Sequence, residues 1–235
     1  MPTFTVTGDI DPFLHVSLRR GETIFCESDA MVMMESTLDL TGSMGGGILQ
    51  AAMRRLANGE SFFVQKIAAN RGDGDCLLSP QMPGSIEILN VGQRQYKLSD
   101  GAYVAATDGV RMIARMQNIG NGIFGHTGGF FVGETSGTGQ IAVSGFGAMF
   151  TIDVDPSKEI KVDNGHVVAW DSLLRYEITV STARSQGLLG NLVNSVTSGE
   201  GMVLKFSGRG KIILCSRNRD NFVSSILAQS NRGNV

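Results

Sequence analysis

The sequence has few of the residues from which metal, redox and disulfide sites are built. Its 235 residues include three cysteines, three histidines and one tryptophan. Cys26, Cys76 and Cys215 are an odd number without a Cys-x-x-Cys pair, which indicates small buried side chains in a reducing compartment. No two histidines stand at His-x-His or His-x-x-x-His spacing, so the sequence predicts no metal centre and no cofactor.

The chain also has no large excess of basic over acidic residues, or the reverse. The chain carries 20 Lys and Arg against 22 Asp and Glu, a net charge of −2, and its longest basic clusters are pairs. Such a chain has no basic field to attract nucleic acid. The aromatic residues are also not interleaved with basic ones, as binding of single-stranded nucleic acid would require. A nucleic-acid partner is therefore not expected.

Long apolar runs are absent too. No stretch of about 18 apolar residues occurs, so no transmembrane helix is predicted. Residues 1–7 alternate in the manner of an edge strand, without the basic and apolar regions of a signal peptide. A cytoplasmic location is the simplest conclusion.

Glycine, in contrast, is abundant, with 31 of 235 residues, about 13% against a typical ~7%. Residues 15–25, 95–105 and 159–169 each contain an alternating strand, a glycine turn and a second strand. Downstream of each copy, a Gly-x-Gly precedes two short apolar strands. Because glycine tolerates positive φ, we predict that these glycines hold turns. The positions are Gly21, Gly101 and Gly165 in the first halves and Gly74, Gly139 and Gly201 in the second.

This repetition predicts an all-β protein of three related β-sandwich units in a pseudo-threefold arrangement. We expect the units within residues 1–90, 91–155 and 156–235, with superposable parts at 15–90, 95–154 and 159–217. The Gly-x-Gly segments do not resemble a phosphate loop, because strands rather than helices follow them.

The first unit carries an insertion of roughly 15 residues, and residues 41–58 within it are the least β-like part of the chain. Helix-forming residues with one apolar face follow a run of glycines. We predict a short helix that contacts a neighbouring subunit; the alternatives are a cover over its own sheet and insertion into a membrane surface, for which the signal is weak. The face consists of Ile48, Leu49, Ala52, Met53 and Leu56.

Candidates for catalysis are few. His126 lies in a glycine-rich loop, and an acidic group formed by Glu22, Glu27 and Asp29 could serve acid–base chemistry. The second unit does not repeat these carboxylates, and Gly-x-Ser-x-Gly does not occur. We therefore do not expect an enzyme.

Three segments together resemble one known family, at residues 21–34, 58–63 and 206–214. The chain resembles, from about residue 3 to 218, the bacterial and archaeal relatives of the altered-inheritance-of-mitochondria, or mitochondrial biogenesis, proteins. The resemblance implies a fold like that of the trp RNA-binding attenuation protein, whose fold class assembles into rings. It also implies a mitochondrial relative linked to inner-membrane organisation, and it brings no catalytic residues. RNA binding is not transferred with the fold, because the basic rim is missing.

These observations favour a non-enzymatic structural or interaction protein that forms a homo-oligomeric scaffold and has protein partners. Two other hypotheses stay open. The first is a binding module for a small ligand or RNA between the β units. The second is an enzyme that uses His126 or the acidic group.

Overall fold

The computed structural model describes residues 1–42, 64–117, 130–180 and 202–232, and strands dominate these ranges. The all-β class is therefore confirmed. The described part contains nineteen strands, a 3-10 turn (Asn164–His166) and one helix, α1 (Arg219–Arg232). The strands are β1 (Thr3–Thr7), β2 (Phe13–Leu18), β3 (Thr23–Glu27), β4 (Met31–Met34), β5 (Asp39–Gly42), β6 (Val64–Ala68), β7 (Gly74–Leu78), β8 (Gly84–Val91), β9 (Tyr96–Ser99), β10 (Tyr103–Thr107), β11 (Val110–Gln117), β12 (Phe130–Gly137), β13 (Gly139–Phe146), β14 (Met149–Val154), β15 (Ile160–Asp163), β16 (Val167–Asp171), β17 (Arg175–Val180), β18 (Met202–Ser207) and β19 (Gly210–Cys215).

The strands form four sheets, named A to D here, in which neighbouring strands are antiparallel. Sheet A has the order β1-β2-β7-β4, and sheet B the order β5-β6-β3-β10-β13-β8. Sheet C has the order β11-β12-β9-β16-β19-β14, and sheet D the order β15-β18-β17. Sequence alternation sets the faces of these sheets. In β2, for example, Leu14, Val16 and Leu18 are buried, whereas the residues between them are partly or fully exposed.

The buried side chains form three clusters. The first lies around β2, β3 and β7, and the second around β9, β10 and β13. In the third, Trp170 packs edge-on against Tyr176 and Phe206, with ring centroids 5.2 and 5.7 Å away. Such aromatic contacts add to the free energy gained from burial alone.

Strands β10 and β16 are buried on both faces because each lies between two clusters. Val104 and Ala105 of β10 belong to the first cluster, whereas its Tyr103 and Ala106 belong to the second. In the same way, β16 contributes to the second and third clusters. These two strands thus join successive parts of the core.

The predicted equivalence of residues 15–25 with 95–105 is wrong. Strand β2 pairs with β1 and β7, whereas β9 pairs with β12 and β16. It is β3 that has the matching neighbours, β6 and β10. Accordingly, the turn residue that corresponds to Gly101 (φ +72°) is Asp29 (φ +64°), not Gly21. Asp adopts this left-handed conformation more readily than most residues, so the turn does not require glycine.

The sequence predicts the third Gly-x-Gly turn at residues 199–201, whereas the structure has a glycine turn between β18 and β19. Gly201 lies outside the described residues. Glycines of the β18–β19 turn, Gly208 and Gly210, occupy the place that Gly137 and Gly139 have between β12 and β13. The φ angles of Gly137 and Gly208 are +88° and +108°.

Other predictions fall beyond the described ranges. The insertion helix, including Ile48, Leu49, Met53 and Leu56, lies outside them, and so does His126. Helix α1, in contrast, was not predicted. Its N-terminal cap is Asn218, whose side-chain oxygen accepts a hydrogen bond of 3.1 Å from the Asn221 amide.

Candidate functional site

Strand β4, at one edge of sheet A, exposes apolar side chains. Among the described strands, β4 pairs only with β7. Four successive apolar residues form this strand, yet Val32 is 53% and Met33 44% exposed. An exposed apolar edge strand is a template for pairing with another strand, and natural proteins usually protect it. The edge of β4 is therefore a candidate interaction site.

Strands β10 and β16 show what such a strand looks like when its second edge is occupied. Each has a bulge against its inner neighbour, at Val104 in β10 and at Val168 in β16. Strand β4 has the same irregularity at Val32. The outer edge of β10 pairs with β3, and that of β16 pairs with β9. Local structure is thus shared by the three strands, and only β4 has no outer neighbour within the described part of the chain.

Strand β15 lies at one edge of sheet D and is the second edge strand of interest. Strands β3 and β9 have a neighbour on each side, whereas β15 pairs only with β18 among the described strands. Val162 of β15 is buried and Lys161 is exposed. Lys205 of β18 forms an ion pair of 2.7 Å with Glu159, which holds the start of β15. Val162 thus anchors β15 to the core, while the outer edge of the strand has no partner strand among the described residues.

A serine, a histidine and an aspartate meet on sheet A, but they do not form a catalytic triad. Ser17 Oγ donates to Asp75 Oδ1 at 2.5 Å, and His15 Nε2 lies 3.0 Å from the same oxygen. The carboxylate thus lies between the serine and the histidine, where a triad requires the histidine. The hydrogen bond from Ser17 is the leading reason that the pKa of Asp75 is lowered.

Two other polar pairs support a structural role for this contact. Ser17 and Asp75 are register partners on β2 and β7. Asn90 and Gln140 face each other in the same way on β8 and β13, at a hydrogen-bond distance of 3.3 Å. On β14 and β19, Asp153 and Lys211 form an ion pair of 2.9 Å. A polar cross-strand pair therefore occurs at each of these places, and Ser17–Asp75 is one of them.

The predicted acidic group is not brought together at one point. Glu22, at the start of β3, accepts a hydrogen bond of 2.9 Å from the Arg19 amide and pairs with the N-terminal amine. Glu27 lies at the opposite end of the strand. Burial raises the pKa of Glu27 to about 7; the negative charge of Asp100 adds to the shift, and Arg219 opposes it. Glu22 is thus separated by the length of a strand from Glu27, whereas Asp29 is near enough to Glu27 to add to its pKa shift.

Of the three cysteines predicted to be buried, Cys26 and Cys76 are buried, whereas Cys215 is partly exposed. Burial raises the pKa of Cys26 and of Cys76 to about 12, so both remain protonated, weakly reactive thiols at neutral pH. His166 Nδ1 is 2.8 Å from the Cys215 carbonyl oxygen. Within the described ranges, no three His, Cys, Asp or Glu residues are grouped as metal ligands, and no helix is long and apolar enough to cross a membrane.

A cleft of about 320 Å³ is a candidate binding site within the described residues. It lies where the chain start and the start of β3 meet the turn between β10 and β11. Glu22 and Asp108 line it together with Thr23, Thr107 and Thr138, and the N-terminal ammonium of Met1, which pairs with Glu22, lies there too. Such a lining suits a small polar molecule better than a polyanion.

The predicted turn glycines have different structural reasons. Gly21 has φ +88° and open space around it, so only its backbone conformation favours glycine. A Cβ on Gly139 would overlap Thr107 Oγ1, in addition to the strain at φ +145°. For Gly165 the predicted reason, a positive φ, is wrong, because its φ is not positive. A Cβ at this position would instead overlap Asn218. Crowding likewise explains Gly74, whose Cβ would meet Thr37.

Comparisons with known proteins found one family model and relatives from Streptococcus pyogenes. The model of the family described as mitochondrial biogenesis AIM24 matches residues 4–217. An uncharacterized protein of Streptococcus pyogenes serotype M6 is 33% identical over 230 residues, which is 95% of this chain and 89% of that protein. The crystal structure of a Streptococcus pyogenes protein has a TM-score of 0.79 and 30% identity, covering 97% of this chain and 100% of the other.

Proposed function

We propose that this chain, which belongs to the mitochondrial biogenesis AIM24 family, is a non-enzymatic structural protein whose copies associate through the open edges of their sheets. The observation that carries this proposal is the exposed apolar edge of β4. A strand of four apolar residues, two of them about half exposed, lies where β10 and β16 are fully buried. Covering such an edge releases water from apolar surface and pairs unpaired backbone groups.

The proposal includes a three-unit organisation like that of the trp RNA-binding attenuation protein. The units are residues 13–78, 84–146 and 149–215, with six strands each. Supporting this division, the first and third strands of each unit pair with the sixth, and the second and fourth pair with the fifth. These pairings are β2–β7, β4–β7, β3–β6 and β5–β6, then β8–β13, β10–β13, β9–β12 and β11–β12, and finally β14–β19, β16–β19, β15–β18 and β17–β18.

This organisation explains why a scaffold role suits the chain. In the proposed units, the third strand of one unit pairs with the second strand of the preceding unit, as β10 does with β3 and β16 with β9. Three units allow two such junctions, which leaves one edge of each kind without a partner. A protein built by this rule is suited to joining further units. The cytoplasmic location predicted from the sequence stays a prediction.

Analytical ultracentrifugation of the full chain tests the proposal. We expect the wild type to sediment as an oligomer at micromolar concentration. Replacing Val32 and Met33 by Lys should shift it towards the monomer, because each charge would have to be buried on pairing. The matched control is Leu173→Lys, since Leu173 is 78% exposed in a turn away from β4. A wild type that remains monomeric at every concentration would refute the proposal.

A binding module is the second candidate, and the cleft near Glu22 favours it. Because the Met1 ammonium offsets the charge of Glu22 and leaves Asp108 as the second carboxylate, this alternative points to a small polar ligand rather than RNA. Native mass spectrometry of the purified protein would detect a retained molecule as a stoichiometric mass increase. An Asp108→Asn variant that retains the molecule unchanged would contradict binding in this cleft.

A further inference from the structure

We infer that β4 of one copy pairs antiparallel with β15 of a second copy, with Met33 opposite Val162. This inference rests on the self-association proposed above and specifies its interface. The partner is a second copy of the same chain, because the strands that match β4 already have partners of the β15 type within the chain. The argument uses the registers of those two internal junctions.

The two internal junctions share one register. At the first junction, β10 pairs with β3 in the register Ala105–Cys26, Ala106–Phe25 and Thr107–Ile24. At the second junction, β16 pairs with β9 in the register Ala169–Leu98, Trp170–Lys97 and Asp171–Tyr96. In both strands, pairing starts with the residue directly after the bulge. On β4, whose irregularity lies between Met31 and Met33, that residue is Met33.

The opposite residue follows from the turn at the end of the receiving strand. Cys26 stands three positions before Asp29, and Leu98 stands three positions before Gly101, the two turn residues with positive φ. Gly165 occupies the corresponding turn after β15, and Val162 precedes it by three. Met33 should therefore face Val162, Met34 should face Lys161, and Glu35 should face Ile160.

The buried clusters give an independent argument. Strand β10 adds Val104 and Ala105 to the first cluster, which otherwise surrounds β2, β3 and β7. Strand β16 adds Val168 and Ala169 to the second. The third cluster, around Trp170, has no such contribution among the described residues. Val32 and Met33 occupy the corresponding positions on β4 and are the exposed members of the series.

Each copy carries one β4 edge and one β15 edge, so the contact is heterologous. The surface used by one copy differs from the surface used by the next, which makes a ring or a linear chain rather than a twofold dimer. A pairing of only three residues offers few backbone hydrogen bonds. We therefore expect each contact to be weak, so that the oligomer dissociates when the protein is diluted.

Disulfide trapping between separately purified variants tests the register. In a Cys215→Ser background, which leaves the buried Cys26 and Cys76, one sample carries Met33→Cys and an isotopically labelled second sample carries Val162→Cys. Opposed residues of an antiparallel pair have Cβ atoms about 4.5–5.5 Å apart, close to the separation that a disulfide needs. We expect the mixture to become mostly a 33–162 linked dimer under mild oxidation, as peptide mapping would show.

Two further pairs keep the test decisive. Met34→Cys with Lys161→Cys should also cross-link, and because Lys161 is exposed this pair does not disturb the core. Met33→Cys with Ile178→Cys is the control, because Ile178 lies on β17 at the opposite edge of sheet D from β15. This control pair should not cross-link. Circular dichroism verifies folding of each variant.

The outcomes separate this inference from the proposed function. If the wild type sediments as an oligomer but neither predicted pair cross-links, the register is wrong and self-association still stands. If the wild type is a monomer and no pair cross-links, both are wrong. Equal cross-linking of the control pair would show random collision and would also overturn the register.

Discussion

Removing the charge of Glu27 should stabilise the protein at alkaline pH. This carboxyl group lies at the end of β3, close to Asp100 and to Arg219 at the start of α1. Burial is the leading reason that its pKa rises from 4.5 to about 7, and the charges of Asp100 and Asp29 add to it while Arg219 opposes. The folded protein therefore holds this proton more tightly than the unfolded chain does.

The sign and size of the effect follow from this difference. A raised folded-state pKa contributes stability that is complete below about pH 4.5 and is lost as the pH rises through about 7. Since one pKa unit corresponds to about 1.4 kcal/mol, the ceiling is about 3 kcal/mol. Glu27 is only partly buried, so solvent screening reduces the expected effect to about 1–2 kcal/mol. Glu27→Gln should raise the free energy of unfolding by that amount at pH 8 and change it little at pH 4.5.

Urea denaturation at both pH values measures the effect. Trp170 is the single tryptophan and is fully buried, so its fluorescence reports unfolding of the core. Glu177→Gln is the control, because Glu177 is an exposed residue of β17. If Glu27→Gln and the wild type lose stability equally between pH 4.5 and pH 8, the assignment of this titration to Glu27 is wrong.

The remaining predictions concern turns and core packing. Gly139→Ala should lower the free energy of unfolding by about 1–3 kcal/mol, because its Cβ would overlap Thr107 at a strained φ; Gly21→Ala, with open space around it, should cost less. Equal urea midpoints for these two variants would contradict the steric argument. Leu204→Ala should cost about 2–5 kcal/mol, since Leu204 is fully buried in the third cluster, whereas Leu173→Ala should leave the midpoint unchanged. A Leu204→Ala variant as stable as the wild type would mean that this cluster does not support the fold.

Strand positions were predictable where alternation is strong. The pattern in residues 96–99 and 160–163 gives β9 and β15 directly, and glycine marks the turn after each of them. These signals are local, because side-chain period and positive φ are properties of adjacent residues. The strand class and many turns could therefore be predicted without knowledge of the pairing.

Register along the first unit could not be predicted in the same way. Gly21 attracted the assignment because glycine is the common residue at positive φ, whereas the corresponding turn uses Asp29. A sequence comparison that follows glycine is misled when an aspartate adopts the same conformation. The C-terminal helix was missed for a different reason: its residues are exposed, yet Asn218 and the spacing of Phe222, Val223, Ile226 and Leu227 were a usable helical signal.

The candidate site was the least predictable feature, because exposure of a strand depends on its neighbours. Residues 31–34 look like a core strand in sequence, and the corresponding strands β10 and β16 are indeed buried. What distinguishes β4 is its position at the end of a sheet, which depends on pairings between distant residues. Local composition does not contain that information.

The form of β4 also limits unspecific association through its apolar edge. The strand has only four residues and is interrupted by a bulge, and both features limit unspecific pairing with other strands. Where β10 and β16 place Ala105 and Ala169, β4 places Met33, whose flexible side chain can occupy an irregular surface while exposed and fill a cavity when covered. A short edge strand with an adaptable side chain therefore favours a partner strand with the matching register over other exposed strands. Association through β4 should therefore be selective for β15 and weak for a single contact, so that only a closed ring or a high local concentration makes it persistent.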